Sequence, residues 1–222
     1  MIKTIIFDFD GVIVESIDIK TEAFREMFKE YPKEQRDAFL DYHINNGGIS
    51  RQRKITYFYQ NILKQPLSPQ KLDELCDQFH HLVMERVIAS PFVAGAKELL
   101  DKGKGRYRMY VVSGTPQEEM RVIVFRRGLK DYFVDVFGSP DTKGDVAKRI
   151  LKQEQCLPRE AVFIGDSIND LAAAKEAGVP FVGRAHAPDE GWLNDKYIFT
   201  VVKDLTGLQN IIEELGKGSK VL

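Results

Sequence analysis

The residues with the most chemical potential stand at the start of the chain, in Ile5-Ile6-Phe7-Asp8-Phe9-Asp10-Gly11-Val12. An apolar run that ends abruptly in two aspartates reads as a buried strand delivering carboxylates to the rim of a sheet. Asp8 and Asp10 are two apart, so on an extended chain both side chains point to one side. Carboxylates that close repel each other and resist ionising together. A divalent cation removes the conflict, and an oxygen-only pair suits hard Mg2+ better than Zn2+. Gly11 lets the backbone turn where a side chain would obstruct. Taken alone, the pair also describes a solvated strand end.

A second acidic pair follows the apolar run Ala161-Val162-Phe163-Ile164, in Gly165-Asp166-Ser167-Ile168-Asn169-Asp170. Four-residue spacing puts Asp166 and Asp170 on one face of a helix that starts there. Two such pairs at one rim would repel strongly without a cation, so metal binding leads over a pair of helix-end charges. Between them lies Val111-Val112-Ser113-Gly114-Thr115-Pro116. Thr115 reads as an N-cap, Pro116 as the first helical turn and Glu118 as the acid of a capping box. A helix beginning just past Ser113 offers free backbone N–H groups to an anion. The Ser113 hydroxyl and the close approach allowed by Gly114 suit a phosphate; a plain capped turn is the alternative. Lys143, in Pro140-Asp141-Thr142-Lys143-Gly144-Asp145, is a mobile charge able to neutralise both the carboxylates and a bound phosphate.

These stations need elements to hold them. From Ser90 onward, short apolar strands near 109–112, 134–137, 161–164, 179–182 and 197–201 alternate with helices near 94–102, 116–127, 144–155, 169–177 and 205–215. That alternation implies an α/β fold, a parallel sheet covered on both faces, with ligands outside the carboxyl ends of its strands. Residues 15–88 differ: helical patterns at 16–31, 34–43, 51–64 and 69–89 are separated by Asn45-Asn46-Gly47-Gly48 and Pro66-Leu67-Ser68-Pro69. The expected organisation is a Rossmann-like core from 1–14 and 89–222 with an inserted all-helical domain, 15–88.

Composition narrows the partners. Hydrophobic residues make up 43% and charged residues 29% of 222, ordinary values for a globular protein. A net charge of −1 gives no electrostatic case for nucleic acid or an anionic membrane. No apolar run approaches the ~20 residues of a membrane span. Asp8 and Asp10 interrupt the first apolar run, which argues against a signal peptide and for the cytoplasm. Cys76 and Cys156 lack ligand spacing and read as reduced thiols.

The stations Asp8-Phe9-Asp10-Gly11-Val12, Ser113-Gly114, Lys143 and Gly165-Asp166-Ser167-Ile168-Asn169-Asp170, in this order, resemble the haloacid dehalogenase-like hydrolase superfamily. The block at 15–88 resembles the cap of its phosphoglycolate phosphatase and beta-phosphoglucomutase-like branch. The resemblance implies a Mg2+-dependent phosphatase acting on a small phosphorylated metabolite through an aspartyl-phosphate. By that resemblance Asp8 is the nucleophile and Asp10 the acid and base. Mg2+ is held by Asp8, the Asp10 backbone carbonyl and Asp166 directly, with Asp170 a ligand through water or a partner bracing the other ligands. Ser113, Gly114 and Lys143 hold the phosphoryl oxygens. A sugar phosphomutase is the alternative reaction, and a non-catalytic binding protein the alternative class.

The sequence departs from the branch in two places. Glu15-Ser16 and then Lys20 stand where Asp-Ser and His are common, and Lys143-Gly144 where Lys-Pro is usual. Gly48-Ile49-Ser50-Arg51 resembles the loop that reaches over the active site. Arg51 or Lys54 is then placed to meet an anionic leaving group, or merely to solvate a helix start. Tyr57, Phe58 and Tyr59 read as cap core, and His80-His81 as structural. Arg184 and His186 fall at the functional rim without an assigned role. Which phosphomonoester is the substrate is not encoded legibly, and monomer and homodimer both stay open.

Overall fold

Strand β1 (Thr4–Phe7) is buried along its whole length, and its side chains divide by parity between two cores. Ile5 and Phe7 face one core; Ile6 faces the other. In this computed structural model, which describes residues 1–188 and 190–217, five further strands flank it. They are β2 (Arg108–Pro116), β3 (Asp135–Ser139), β4 (Ala161–Gly165), β5 (Phe181–Arg184) and β6 (Ile198–Val202). The order is β3-β2-β1-β4-β5-β6, and every pairing is parallel. The α/β reading therefore holds. The expected end of the core at 222 lies outside the described residues.

Helices α1 (Ile17–Met27), α2 (Lys33–Asn45), α3 (Arg51–Tyr57) and α4 (Pro69–Ala89) all fall between β1 and β2. They close on aromatic rings: Phe24 lies 5.0 Å from Phe39, and Phe28 lies 4.1 Å from Phe58. Phe58 and Tyr59 are buried as expected, whereas Tyr57 stacks on Tyr42 at 3.5 Å. The helix expected over 51–64 changes pitch at Phe58–Leu63, where the turns widen to π-helical spacing.

Beyond α4 come α5 (Ala96–Gly103), just before β2, and then α6 (Gln117–Arg126), α7 (Lys143–Gln153), α8 (Ile168–Ala177) and α9 (Leu208–Gly216). Helices α7 and α8 cover the face of Ile6, Tyr110 and Phe163; α5, α6 and α9 cover the face of Ile5, Val111 and Val162. The chain steps from β1 to β2 and β3 on one side, then returns to the other side of β1 as β4. That reversal opens a crevice at the carboxyl ends of β1 and β4, the place such sheets bind ligands.

Candidate active site

Register brings the acidic stations together. Phe7 is level with Val111 on β2 and Ile164 on β4, so Asp8 leaves β1 within a residue of the level of Ser113, still on β2, and of Asp166, just past β4. The Asp8 N–H continues the ladder by donating to the Ile164 carbonyl at 2.9 Å. Asp8, Asp166 and Asp170 are all buried, and one carboxylate oxygen from each lies within 4.8 Å of the others. Lys143, the first residue of α7, places Nζ 2.6 Å from Asp170 Oδ1 and 2.9 Å from Asp8 Oδ1. The Asp8 contact is an ion pair without hydrogen-bond geometry, and that buried oxygen has no hydrogen-bond partner among the described residues.

Burial raises the Asp8 carboxyl well above its usual range; Lys143 opposes this, and Asp170 and Asp166 reinforce it. Burial likewise raises Asp166. Burial would lower the Lys143 ammonium, but Asp170 and Asp8 outweigh it and raise it. Three desolvated carboxylates with one cation and an unpartnered oxygen lack positive charge. The donor set is oxygen only. It therefore fits a hard divalent cation.

The extended Asp8–Asp10 arrangement does not hold. Beyond Phe7 the chain coils: the N–H groups of Ile13 and Val14 donate to the Phe9 carbonyl, and Gly11 donates to that of Val14. The Asp10 carboxylate lies outside the three-acid cluster. It accepts from Ser16 Oγ at 2.6 Å, Thr115 Oγ1 at 3.2 Å and Ser113 Oγ at 3.4 Å, and pairs with Lys20. Burial alone would raise Asp10, but Lys20 and the hydroxyls prevail and hold it below the usual carboxylate range. Gly11 sits at φ +76°, and a Cβ there would stand 2.0 Å from Asp166 Oδ2. Its missing side chain is what lets the two acidic loops touch.

Local expectations at two helix starts are also corrected. Strand β2 runs on through Pro116, and α6 begins at Gln117 with no side-chain cap. Thr115 is not an N-cap because its hydroxyl serves Asp10. At the other station α8 begins at Ile168 with Ser167 as its cap, so Asp166 precedes the helix rather than sharing a face with Asp170. The carboxylates meet nonetheless. Ser167 Oγ donates to Asp170 Oδ2 at 2.5 Å and fixes it.

Helices α1–α3 roof the site and enclose, with the sheet rim, a cavity of about 510 Å³. Asp8, Asp10, Ser113, Gly114 and Asp166 line its floor. Gly114 passes so close to the roof that a Cβ would stand 2.4 Å from the Gly48 carbonyl. Asn169 Nδ2 donates to the Gly47 carbonyl at 2.5 Å from below. Arg51 is tied to Glu119 of α6, which His80 also approaches at 3.1 Å.

Two rim residues without an expected role are engaged. Arg184 donates to the Gly11 carbonyl at 2.7 Å and chelates Glu15, bracing the first acidic loop. His186 Nε2 lies 2.8 Å from Asp166 Oδ2. Their position, Arg184 ending β5 and His186 two residues beyond, is the only sequence signal that pointed to either.

Fold and site define an enzyme of the parallel α/β class that gathers carboxylates at the switch point of its sheet. A family model described as haloacid dehalogenase-like hydrolase matches residues 5–184, and the chain belongs to that family. It is 27% identical over 201 residues to a phosphoglycolate phosphatase of Vibrio parahaemolyticus, covering 86% of each chain. It is 26% identical over 196 residues to a phosphorylated carbohydrates phosphatase of Thermotoga maritima, covering 85% of this chain and 88% of that one. Among solved structures, CbbY from Rhodobacter sphaeroides in complex with phosphate superposes with a TM-score of 0.74 at 19% identity, covering 94% of this chain and 96% of that one.

Proposed function

We propose that the chain is a Mg2+-dependent phosphatase of a small phosphomonoester, working through an aspartyl-phosphate on Asp8. The observation that carries this reading is the buried trio Asp8, Asp166 and Asp170 beside Lys143, with Asp10 poised over the same cavity. Asp8, Asp166, Asp170 and the Asp10 backbone carbonyl would hold Mg2+, which supplies positive charge against the phosphoryl oxygens. The Asp8 carboxylate attacks phosphorus, forming an O–P bond as the bond to the leaving alcohol breaks. Lys143 and the Ser113 hydroxyl, with backbone N–H groups at Gly114, hold the transferring oxygens. Asp10 deprotonates the water that later cleaves the acyl-phosphate; Lys20 and the hydroxyls keep it ionised and so able to accept that proton. Protonating the leaving alcohol first requires a proton on Asp10, which a phosphate monoanion entering the cavity can carry.

On this reading residues 15–88 are a cap domain over a core of 1–14 and 89–222, and closure of the cap excludes water from the intermediate. A cytoplasmic setting is supported by two free cysteines, Cys76 and Cys156. None of the described helices is long and apolar enough to cross a membrane. The test is a phosphate-release screen over sugar phosphates, phosphoglycolate, nucleotides and phosphoamino acids, with Mg2+ and with chelator. We expect Mg2+-dependent release that Asp8→Asn abolishes while circular dichroism stays unchanged. Substantial release by that variant would reject the nucleophile, and isomerisation without phosphate release would turn the reading to a mutase.

A further inference from the structure

Three Lys and Arg side chains line the cavity: Lys20, Arg51 and Lys54. Lys20 is paired with Asp10, and Arg51 is held by both oxygens of Glu119 while lying over the Phe79 ring at 4.8 Å. Lys54, on α3, is 5% exposed and has no carboxylate partner among the described residues. It is held by His43 instead, with Nζ 2.8 Å from Nδ1 and 3.2 Å from the backbone carbonyl.

Hydrogen-bond accounting fixes the direction of these contacts. Thr21 Oγ1 gives its proton to the Ile17 carbonyl at 3.1 Å, so it accepts from His43 Nε2 at 3.0 Å. His43 is therefore the neutral tautomer with its proton on Nε2, and Nδ1 accepts from Lys54. Burial first, then the Lys54 charge, push the His43 imidazole down to about 2, consistent with a neutral ring. An ammonium has three donors, and His43 takes two of them. The third has no partner among the described residues. A desolvated ammonium without a counter-ion is unfavourable until an anion joins it. Burial and the neighbouring Lys20 push Lys54 down to about 7.

Resting on the phosphatase reading above, we propose that Lys54 is a specificity residue that binds a second anionic group, carboxylate or phosphate, on the alcohol part of the substrate. The transferring phosphoryl group sits on the sheet side of the cavity among Asp8, Ser113 and Lys143. The second anion meets Lys54 on the roof. Arg51, already neutralised by Glu119, has no such role.

The test uses three two-carbon compounds that differ only in the tail: ethylene glycol monophosphate, phosphoglycolate and ethylene glycol bisphosphate. Binding is measured by calorimetry on Asp8→Asn, alone and combined with Lys54→Gln or Lys54→Arg; turnover is measured separately with Asp8 intact. We expect an anionic tail to bind more tightly than the hydroxyl tail, and Lys54→Gln to weaken the anionic member by about 30-fold, the scale of one buried charge-assisted hydrogen bond. The neutral member should change by less than about 3-fold, and Lys54→Arg should keep part of the preference. A loss confined to phosphoglycolate assigns a carboxylate tail; one confined to the bisphosphate assigns a second phosphate. Equal loss for all tails, equal binding of all three, or no binding overturns the assignment. Absence of phosphate release with intact Asp8, while the tail preference persists, instead refutes the phosphatase reading and leaves Lys54 as an anion site.

Discussion

Lys143→Met removes the cation from the middle of the acidic cluster, and its consequence follows from the distances. Nζ lies 2.6 Å from Asp170 Oδ1 and 2.9 Å from Asp8 Oδ1, and at an effective dielectric near 20 each contact attracts by roughly 6 kcal/mol before desolvation. Desolvation offsets most of that. Deleting one partner of a buried pair still costs about 3–5 kcal/mol, because the stranded charge remains buried. The carboxylates left behind lie within 4.8 Å of one another and repel by about 3 kcal/mol per ionised pair on the same scale. They relieve this by binding protons. Burial already raises Asp8 and Asp166, and losing Lys143 raises Asp8 further.

A native state that holds protons its unfolded chain has released is destabilised as pH rises through the native values. Urea denaturation with a chelator present should therefore find the variant about 3–5 kcal/mol less stable than wild type at pH 7, and the gap should shrink near pH 5. Added Mg2+ should stabilise the variant more than wild type, by supplying the missing charge. A variant within about 1 kcal/mol of wild type at pH 7, with no trend in pH, would refute the argument that Lys143 balances buried charge.

Two further outcomes are expected. Gly11→Ala forces a side chain into a backbone at φ +76° and against Asp166 Oδ2; it should cost about 1–2 kcal/mol from the backbone alone, with a larger total in urea titration. Phosphate release should fall out of proportion to that loss, since Asp166 is displaced. His43 stays unprotonated down to about 2, held so by burial and by Lys54, Lys20 and Arg25, whereas an unfolded histidine takes a proton near 6.5. Stability from this residue is thus lost as pH falls below 6.5, by about 2 kcal/mol on reaching pH 5. His43→Asn should remove that part of the acid sensitivity, read as the difference between the two stability curves.

The sheet was legible because each strand carries a short apolar run, and Asp8 and Asp166 directly follow the two central strands. Ile5-Ile6-Phe7 and Val162-Phe163-Ile164 carry no periodicity of their own, but both faces are covered, and both strands lie at the sheet's centre. The acids of β1 and β4 were readable for the same reason. Local chemistry misled where a hydroxyl had a stronger long-range partner. Thr115 has the sequence of a helix cap, yet Asp10 lies across a separation of 105 residues and takes its hydroxyl. Ser16 precedes α1 and likewise gives its proton to Asp10, capping nothing. A buried carboxylate without donors costs more than an uncapped helix start, which water can serve.

The cap was harder to read for a related reason. Arg51 and Lys54 are three apart on one helix and carry the same charge, so sequence offers no ground for separating them. What separates them lies on other elements: Glu119, on α6, meets Arg51, and His43, on α2, meets Lys54. One cation is spent on joining roof to floor, and the other is left facing the cavity. A Glu119→Gln change would weaken the first pairing and free Arg51 to compete for anions in the cavity. On the assignment proposed for Lys54, the selectivity of the pocket is set by which cations lack a carboxylate partner, a property of the assembled fold.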